Sequence, residues 1–379
     1  MGLFARRPAR YQFEKLTLIE KVVIENDYRS WSFDVPLCNM TQQQEVAQQQ
    51  QEVEQQEEQQ KVASHFLERA VLKGHNLAIT ALEVDSEHTK LVSASRDNTA
   101  LVWKLPKTQE NWGVEDTRLV GHNHFVSGIA LSSDATHLIT SSWDKTLRLW
   151  ELQTRTCKKI FNGHAKDALA VVFSPCNRRI ISTGRDNTVR IWNILGECKE
   201  SMKFNAWGTS ISCAPMPAED SPLIFAVGFW DGKVRVFKVQ DKCEKLFELD
   251  AHKGRVLSVS FTPDGQWLMT GGSDHKVCMW AVASGQKILS FTAPQVVNAL
   301  SACPTRAWIC AATYEGIAVW DIQNKTQIDL VQPNFPELGT KRHEGRTPDC
   351  TSICWSEDGT VLYAGYNNGE IRVWEVRSE

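Results

Sequence analysis

The stretch 163–192 reads GHAKDALAVVFSPCNRRIISTGRDNTVRIW and is the unit that this chain repeats. It opens with a Gly-His pair, continues through two apolar segments separated by a turn, and ends in a tryptophan. Its His164 precedes Asp186 by 22 residues, and Asp186 precedes Trp192 by six. Both intervals recur in three further sets: His75, Asp97 and Trp103; His122, Asp144 and Trp150; His252, Asp274 and Trp280. Four copies with the same two spacings indicate a repeated structural unit.

A histidine, an aspartate and a tryptophan at these intervals predict a buried polar network. The imidazole can contact the carboxylate at a later turn, with a strand hydroxyl such as Ser95 or Thr183 between the imidazole and the indole N–H. Because each group is costly to bury alone, the set would fix the register of three strands. The same residue types form a hydrolase triad, but a triad is needed once per active site. Four copies therefore favour a structural role.

A small sheet of this kind cannot cover its own apolar faces and must stack on copies of itself. A Gly-His to Trp unit with a period of about 40–45 residues is typical of a propeller blade. The strand ends that match Trp192 number seven: Trp103, Trp150, Trp192, Phe237, Trp280, Trp320 and Trp374. The sequence thus predicts an all-β, seven-bladed β-propeller. The strand near Ala70 should pair with the last blade and close the ring, which leaves no open sheet edge.

Three blades depart from the pattern. Counting back 22 residues from Asp231 places Thr209 at the histidine position of the fourth blade, where Phe237 replaces the tryptophan. In the sixth blade Thr292 falls at the histidine position and Tyr314 at the aspartate position. In the seventh blade these two positions hold Arg346 and Asn368. We expect these blades to be held together by packing alone.

The segments outside the repeat differ from it in composition. Residues 1–40 match no part of the repeat and form an N-terminal extension, which is a lineage-specific segment or a gene-model artefact. Residues 41–65 are rich in Gln and Glu and predict disorder or a polar helix. The propeller is expected over 66–379. The interval from Trp320 to Trp374 is 54 residues against 40–47 elsewhere, which predicts an inserted loop, the knob, at 332–348.

The whole composition excludes several classes of protein. No apolar run approaches the 18 or so residues of a membrane span. Eleven scattered cysteines without paired metal-ligand spacing indicate reduced thiols rather than zinc or a disulfide framework. The net charge of −3 conceals an asymmetry, because 71–199 holds 17 Lys and Arg against 13 Asp and Glu, whereas 200–379 holds 17 against 21. One half of the ring is therefore basic.

The turns that carry His and Asp must share one rim of the ring, and in the first three blades these turns contain cations. We predict Arg96, Lys145, Lys166 and Arg185 there, with His122, His124 and Trp143 nearby. Several cations on neighbouring tight turns suit a phosphate backbone. Exposed turns also favour charged residues for solvation alone, and both interpretations stay open on this pattern.

Several segments resemble the receptor for activated C kinase, a family of WD-repeat, G-beta-like proteins. They are SASRDNTALVWKL (93–105), GHNHFVSGIALSSD (121–134), SSWDKTLRLWEL (141–152), the 163–192 unit and CTSICWSEDGTVLYAGYNNGEIRVWEV (350–376). The likeness covers roughly 66–379. It implies a cytoplasmic, ribosome-associated scaffold at the head of the small (40S) subunit, which binds rRNA and ribosomal proteins. It also implies recruitment of protein kinases of the protein kinase C type and of translation factors, in the regulation of translation.

The resemblance also implies particular rRNA contacts. In that family Arg-Asp-Lys turns of the first and third blades face rRNA, and here Arg96 and Arg185 match, while Asn98 and Asn187 replace the lysines. An asparagine still donates a hydrogen bond, but each lost charge should lower the salt dependence of binding by about one unit. Lys145 and Lys166 would compensate. No catalytic residue, cofactor, metal or small-molecule substrate is implied, and no membrane insertion.

Two other classes of function remain open. A G-protein beta-like signalling subunit, or another cytosolic WD-repeat platform, would also be a propeller, but the Gln-rich tract lacks the heptads that a gamma partner requires. A propeller enzyme would need carboxylates or metal ligands around the channel, and no such set repeats.

Overall fold

The computed structural model describes residues 64–105, 112–216, 221–240, 242–333 and 347–377. These residues form 28 β-strands and no helix. The N-terminal extension, nearly all of the Gln-rich segment and most of the knob lie outside the described residues. The strands belong to one compact unit, Ser64–Glu379.

The strands make seven four-stranded sheets, each antiparallel between neighbours. The predicted seven-bladed propeller is therefore confirmed. Blade 1 contains β2 Ile79–Val84, β3 Lys90–Ser95, β4 Thr99–Lys104 and β5 Val114–Val120. Blade 2 contains β6 Val126–Leu131, β7 His137–Ser142, β8 Thr146–Glu151 and β9 Thr156–Asn162. Blade 3 contains β10 Ala168–Phe173, β11 Arg179–Gly184, β12 Thr188–Asn193 and β13 Cys198–Lys203.

The remaining sheets repeat the same order from the channel outward. Blade 4 contains β14 Gly208–Cys213, β15 Leu223–Phe229, β16 Lys233–Val239 and β17 Cys243–Asp250. Blade 5 contains β18 Val256–Phe261, β19 Trp267–Gly272, β20 Lys276–Ala281 and β21 Lys287–Thr292. Blade 6 contains β22 Ala299–Ala302, β23 Trp308–Ala312, β24 Ile317–Asp321 and β25 Thr326–Val331. Blade 7 contains β26 Cys350–Trp355, β27 Val361–Tyr366, β28 Glu370–Val376 and β1 Phe66–Lys73.

The ring closes through the first and last strands of the chain. Strand β1 pairs antiparallel with β28, from Phe66 opposite Val376 to Lys73 opposite Glu370. The predicted closure by an N-terminal strand is thus confirmed. Because this pairing joins segments about 300 residues apart, blade 7 cannot be complete until both ends are in place.

Polar side chains on the innermost strands also join neighbouring blades. Hydroxyl or amide groups donate to a carbonyl oxygen of the next blade in five of the seven: Thr80 to Val126, Ser127 to Ala168, Thr209 to Val256, Asn298 to Cys350 and Thr351 to Ile79, all at 2.6–2.8 Å. These bonds satisfy backbone acceptors beside the channel.

The apolar core lies between the blades. Val92 and Val102 of blade 1, for example, pack with Val126, Ile129 and Leu138 of blade 2, and all five are buried. Each sheet therefore covers the face of its neighbour, as the repeat requires.

Candidate functional site: the turn-bearing rim and the channel mouth

Four blades contain a hydrogen-bonded chain of four side chains. In blade 1, His75 Nδ1 lies 2.8 Å from Asp97 Oδ2, and its Nε2 lies 2.9 Å from Ser93 Oγ, which also accepts the Trp103 indole N–H at 2.9 Å. The same contacts, at 2.6–3.1 Å, join three further sets: His122, Asp144, Thr140 and Trp150; His164, Asp186, Ser182 and Trp192; His252, Asp274, Thr270 and Trp280.

The hydrogen-bonding capacity of each side chain determines where the protons lie in each set of four. An indole N–H can only donate, so the hydroxyl accepts it and donates its own hydrogen to the imidazole Nε2. The imidazole is then neutral, and its Nδ1–H donates to the carboxylate. All four groups are satisfied, so the chain can be buried without an unpaired polar atom.

The carboxylates of these chains are held in the ionised form. Burial alone would raise the pKa of Asp97, but hydrogen bonds from His75 and Thr99 outweigh it and lower the pKa well below the usual range. Asp144 and Asp186 show the same balance of causes. For His252, desolvation lowers the pKa even though the Asp274 carboxylate raises it, and the lowered pKa favours the neutral ring. These sets are therefore arranged for stability rather than for proton transfer.

The predicted hydroxyl was wrong in both named blades. Ser93 rather than Ser95, and Ser182 rather than Thr183, joins the imidazole to the indole. Successive side chains of a strand point to opposite faces, so Thr183 faces away from Trp192 and donates instead to the Thr188 carbonyl. Ser95 ends its strand and donates to the Leu77 carbonyl.

Blade 4 is held together by charge as well as by packing, which corrects the expectation of packing alone. The buried Arg235 guanidinium lies 3.0 Å from both Asp231 and Glu248, and over the Phe229 ring at 4.3 Å. Hydrogen bonds from Lys233 and Lys245, with Arg235 adding its charge, lower the pKa of Glu248 to about 2.

Blade 7 repeats this arrangement. Arg372 is buried, pairs with Glu68 and Glu370, and lies 5.9 Å from the Tyr366 ring centroid. In blades that contain the histidine, the position of Tyr366 holds a small residue such as Gly272, where an added Cβ would lie 2.6 Å from the His252 ring. An aromatic ring at this position thus excludes the histidine.

Counting back 22 residues misplaced the histidine equivalents of blades 4 and 6, and Arg346, the equivalent predicted for blade 7, lies outside the described residues. Each histidine lies four residues before its innermost strand, which makes Phe204 the equivalent in blade 4. Thr209 instead lies on that strand and bonds to the next blade. In blade 6, Glu315 rather than Tyr314 occupies the aspartate position, two residues before β24. Its histidine equivalent is Ala293, which lies five residues before the interblade donor Asn298, as His75 lies five residues before Thr80. The count failed in blade 4 because its first two strands are joined by a longer loop.

The residue after each aspartate position adopts a left-handed backbone. Asn98, Lys145 and Asn187 have φ of 70°, 73° and 63°, and glycine occupies this position in blades 4, 6 and 7. Asparagine tolerates this conformation better than most residues. The Oδ1 atoms of Asn98 and Asn187 are buried without a hydrogen-bond partner in the described part of the chain. Either amide could therefore meet an outside ligand only through its Nδ2.

The cations of the predicted rim lie on turns at the same end of the blades but differ in environment. Arg96, Lys145 and Lys166 are exposed. Arg185 is not free, because its guanidinium pairs with Asp167 at 2.8 Å and lies over Trp143 at 4.3 Å. Arg96 and Arg185 line one cavity at the mouth of the channel, on the same side of the ring.

Aromatic residues line this channel mouth, which sequence reasoning did not identify as a site. The cavity is about 470 Å³ in volume and is bordered by Phe125, Trp143, Trp207, Trp230 and Tyr314. Trp143, Trp230 and Tyr314 directly precede the aspartate position of their blades, as do Arg96 and Arg185. This shared position in the repeat could have been read from the sequence.

The architecture and the repeated polar chains define the class as a repeat propeller whose loops form interaction surfaces. The family described as WD domain, G-beta repeat matches residues 67–104, 113–151, 155–193, 243–281 and 338–375. The chain belongs to this WD-repeat family, whose propellers are generally non-enzymatic interaction scaffolds.

Two fungal relatives are similar over nearly their whole length. The chain is 38% identical over 351 residues to Cross-pathway control WD-repeat protein 2 of Flammulina velutipes, covering 81% of this chain and 96% of the relative. It is 36% identical over 319 residues to MST50-interacting protein 11 of Pyricularia oryzae, covering 84% of this chain and 99% of the relative.

Among the described residues no helix is of sufficient length and hydropathy to cross a membrane. Nor do the described ranges hold a group of three or more His, Cys, Asp or Glu side chains placed to bind a metal ion.

Proposed function

We propose that this protein is a non-catalytic scaffold of the small ribosomal subunit, resembling the receptor for activated C kinase. At the subunit head it would bind rRNA and ribosomal proteins, and recruit protein kinases and translation factors that regulate translation. The name of the Pyricularia relative, which describes an interaction with MST50, supports a role in protein recruitment.

The observation that carries the proposal is the set of exposed cations on consecutive blades. Arg96, Lys145 and Lys166 lie on turns of blades 1, 2 and 3 at one end of the ring. Among the described residues none of the three has an acidic partner. Unpaired cations on neighbouring turns can each neutralise a phosphate and release counterions, which makes binding depend on salt.

The environment of the remaining residues changes their expected roles. Arg185 is already paired with Asp167, so it would contribute less net charge to an RNA contact than the three exposed cations. Asn98 and Asn187 would each donate at most through Nδ2, because Oδ1 is turned inward. The proposed rRNA contact therefore depends mainly on Arg96, Lys145 and Lys166.

Sedimentation of cell extracts tests this proposal. The double variant Arg96→Asp and Lys166→Asp should leave the small-subunit fractions at a salt concentration at which the wild type remains bound. The matched control, Lys253→Asp with Lys276→Asp, reverses two exposed lysines at the same end of blade 5 and should sediment as the wild type does. Equal sedimentation of all three proteins with small subunits would refute the rRNA contact.

The alternative is a G-protein beta-like signalling subunit, which would be built from the same repeat. Such a subunit would follow the membrane fraction of the same extract and would be absent from small subunits. The salt dependence of sedimentation therefore separates the two functions.

A further inference from the structure

A continuous ladder of rings and guanidinium groups curves around the channel mouth from blade 1 to blade 5. Its consecutive members are Arg96, Phe125, Trp143, Arg185, Trp207, Trp230 and Arg255, at centroid or guanidinium distances of 5.9, 5.2, 4.3, 5.4, 4.6 and 4.3 Å. Every cation–ring step lies within the 6 Å range of a cation–π contact. The repeat does not require this ladder, because the buried polar chains are complete without it.

Arg185 and Arg255, the two guanidinium groups on either side of Trp207 and Trp230, differ in their exposure and in their charge partners. Arg185 lies between Trp143 and Trp207, and Asp167 neutralises its charge. Trp230 is 41% exposed, and the exposed Arg255 lies over it at 4.3 Å. Within the described ranges Arg255 has no acidic partner. An exposed indole and an unneutralised guanidinium are thus presented together at the blade 4 and blade 5 side of the mouth.

We infer that this side of the mouth is a docking site for an acidic peptide segment of a protein partner. A carboxylate of the segment would pair with Arg255, and an aromatic or aliphatic side chain beside it would pack on Trp230 inside the cavity. A volume of about 470 Å³ suits one or two side chains of an inserted segment.

The chemistry of the mouth selects this partner over others. A cationic side chain is disfavoured because the guanidinium groups of Arg185 and Arg255 already cover the indoles. Nucleic acid is disfavoured because the Asp349 carboxylate borders the same cavity and would repel the successive phosphates of a backbone. An acidic peptide can instead place its carboxylate on Arg255, which is outside the cavity lining, and an uncharged side chain inside the cavity.

Selection of peptides from a phage-displayed library of random dodecapeptides on the purified protein tests the inference. We expect the enriched peptides to carry acidic residues next to an aromatic or aliphatic residue. Arg255→Glu should weaken their binding about tenfold or more, because it replaces an attraction by a like-charge contact. Trp230→Ala should weaken it severalfold without a change of charge.

The matched control is Arg306→Glu. Arg306 also lies over an indole, that of Trp308, at 4.6 Å, but on the turn between β22 and β23 at the opposite end of the blades. Peptide binding by this variant should stay within about twofold of the wild type. Circular dichroism and thermal unfolding check that all variants are folded.

Three outcomes would overturn the inference: enriched peptides without an excess of acidic residues, equal binding by Arg255→Glu, or an oligouridylate that displaces the peptides through Arg255. The experiment uses no ribosomes, and Arg255 lies outside the proposed rRNA set. Its failure is therefore distinguishable from failure of the proposed ribosome attachment.

Discussion

Replacing Ser182 by alanine tests the buried polar chains most directly. The Ser182 hydroxyl is fully buried and lies 2.8 Å from both the Trp192 indole nitrogen and His164 Nε2. Its removal leaves one buried donor and one buried acceptor unpaired, at a cost of about 1–3 kcal/mol each. The space vacated by one oxygen atom cannot hold a water, whose share of liquid volume is about 30 Å³. We therefore expect Ser182→Ala to lower the free energy of unfolding by about 2–6 kcal/mol.

Equilibrium urea unfolding at 25 °C, followed by tryptophan fluorescence and circular dichroism, measures this loss. Thr183→Ala is the matched control, because Thr183 is equally buried but makes a single bond to the Thr188 carbonyl at 3.2 Å, worth about 1 kcal/mol. In a double-mutant cycle, Ser182→Ala and His164→Ala should be strongly non-additive, since they disrupt one network. Losses of equal size for Ser182→Ala and Thr183→Ala would refute the hydrogen-bond reasoning.

Three further predictions concern other parts of the ring. Arg235→Ala should destabilise the protein by about 3 kcal/mol, because it leaves two carboxylates facing a vacated site; urea unfolding measures this, and a loss below about 1 kcal/mol would contradict it. Gly272→Ala should lower the melting temperature, because its Cβ would lie 2.6 Å from the His252 ring, and the loss should shrink when His252 is also replaced by alanine. Burial raises the pKa of Glu83 to about 8 against a hydrogen bond from the Leu131 N–H. Because this pKa lies above the unfolded value of 4.5, the stability present at pH 4.5 is lost as pH rises through 8, by at most about 5 kcal/mol. Glu83→Gln should flatten the pH dependence of urea unfolding between pH 5 and 9, and an unchanged slope would count against the buried carboxyl.

The number of blades and the closure of the ring could be predicted from the sequence because both follow from intervals. The spacing from His164 to Asp186 is fixed by two strands and their turns, so copies of it count the blades. The strand that precedes Gly74 comes before the first complete blade, so the last blade is the only one that lacks an outer strand with which it could be completed. Strand β1 therefore pairs with β28. Neither inference requires the position of any single side chain.

The details that could not be predicted depend on side-chain direction or on loop length. One residue separates Ser182 from Thr183, and strand alternation places them on opposite faces. The longer loop in blade 4 shifts any count made backwards from Asp231, which concealed Phe204 as the histidine equivalent. The arginine networks were missed because Arg235 and Arg372 occupy strand positions at which other blades also carry arginine.

Adjacent residues of the turn between the second and third strands of a blade have different roles, one in the fold and one at the channel mouth. The aspartate of this turn is directed into the blade, where it accepts hydrogen bonds from an imidazole and from backbone N–H groups, as Asp186 does. The preceding residue borders the channel mouth and makes no bond to that polar chain. It is arginine in blades 1 and 3, tryptophan in blades 2 and 4 and tyrosine in blade 6. Because this position can vary without loss of the buried network, adjacent residues of one turn can serve the fold and the choice of partner independently. Substitutions such as Trp230→Ala should therefore change binding far more than stability, and Asp186→Ala should do the reverse.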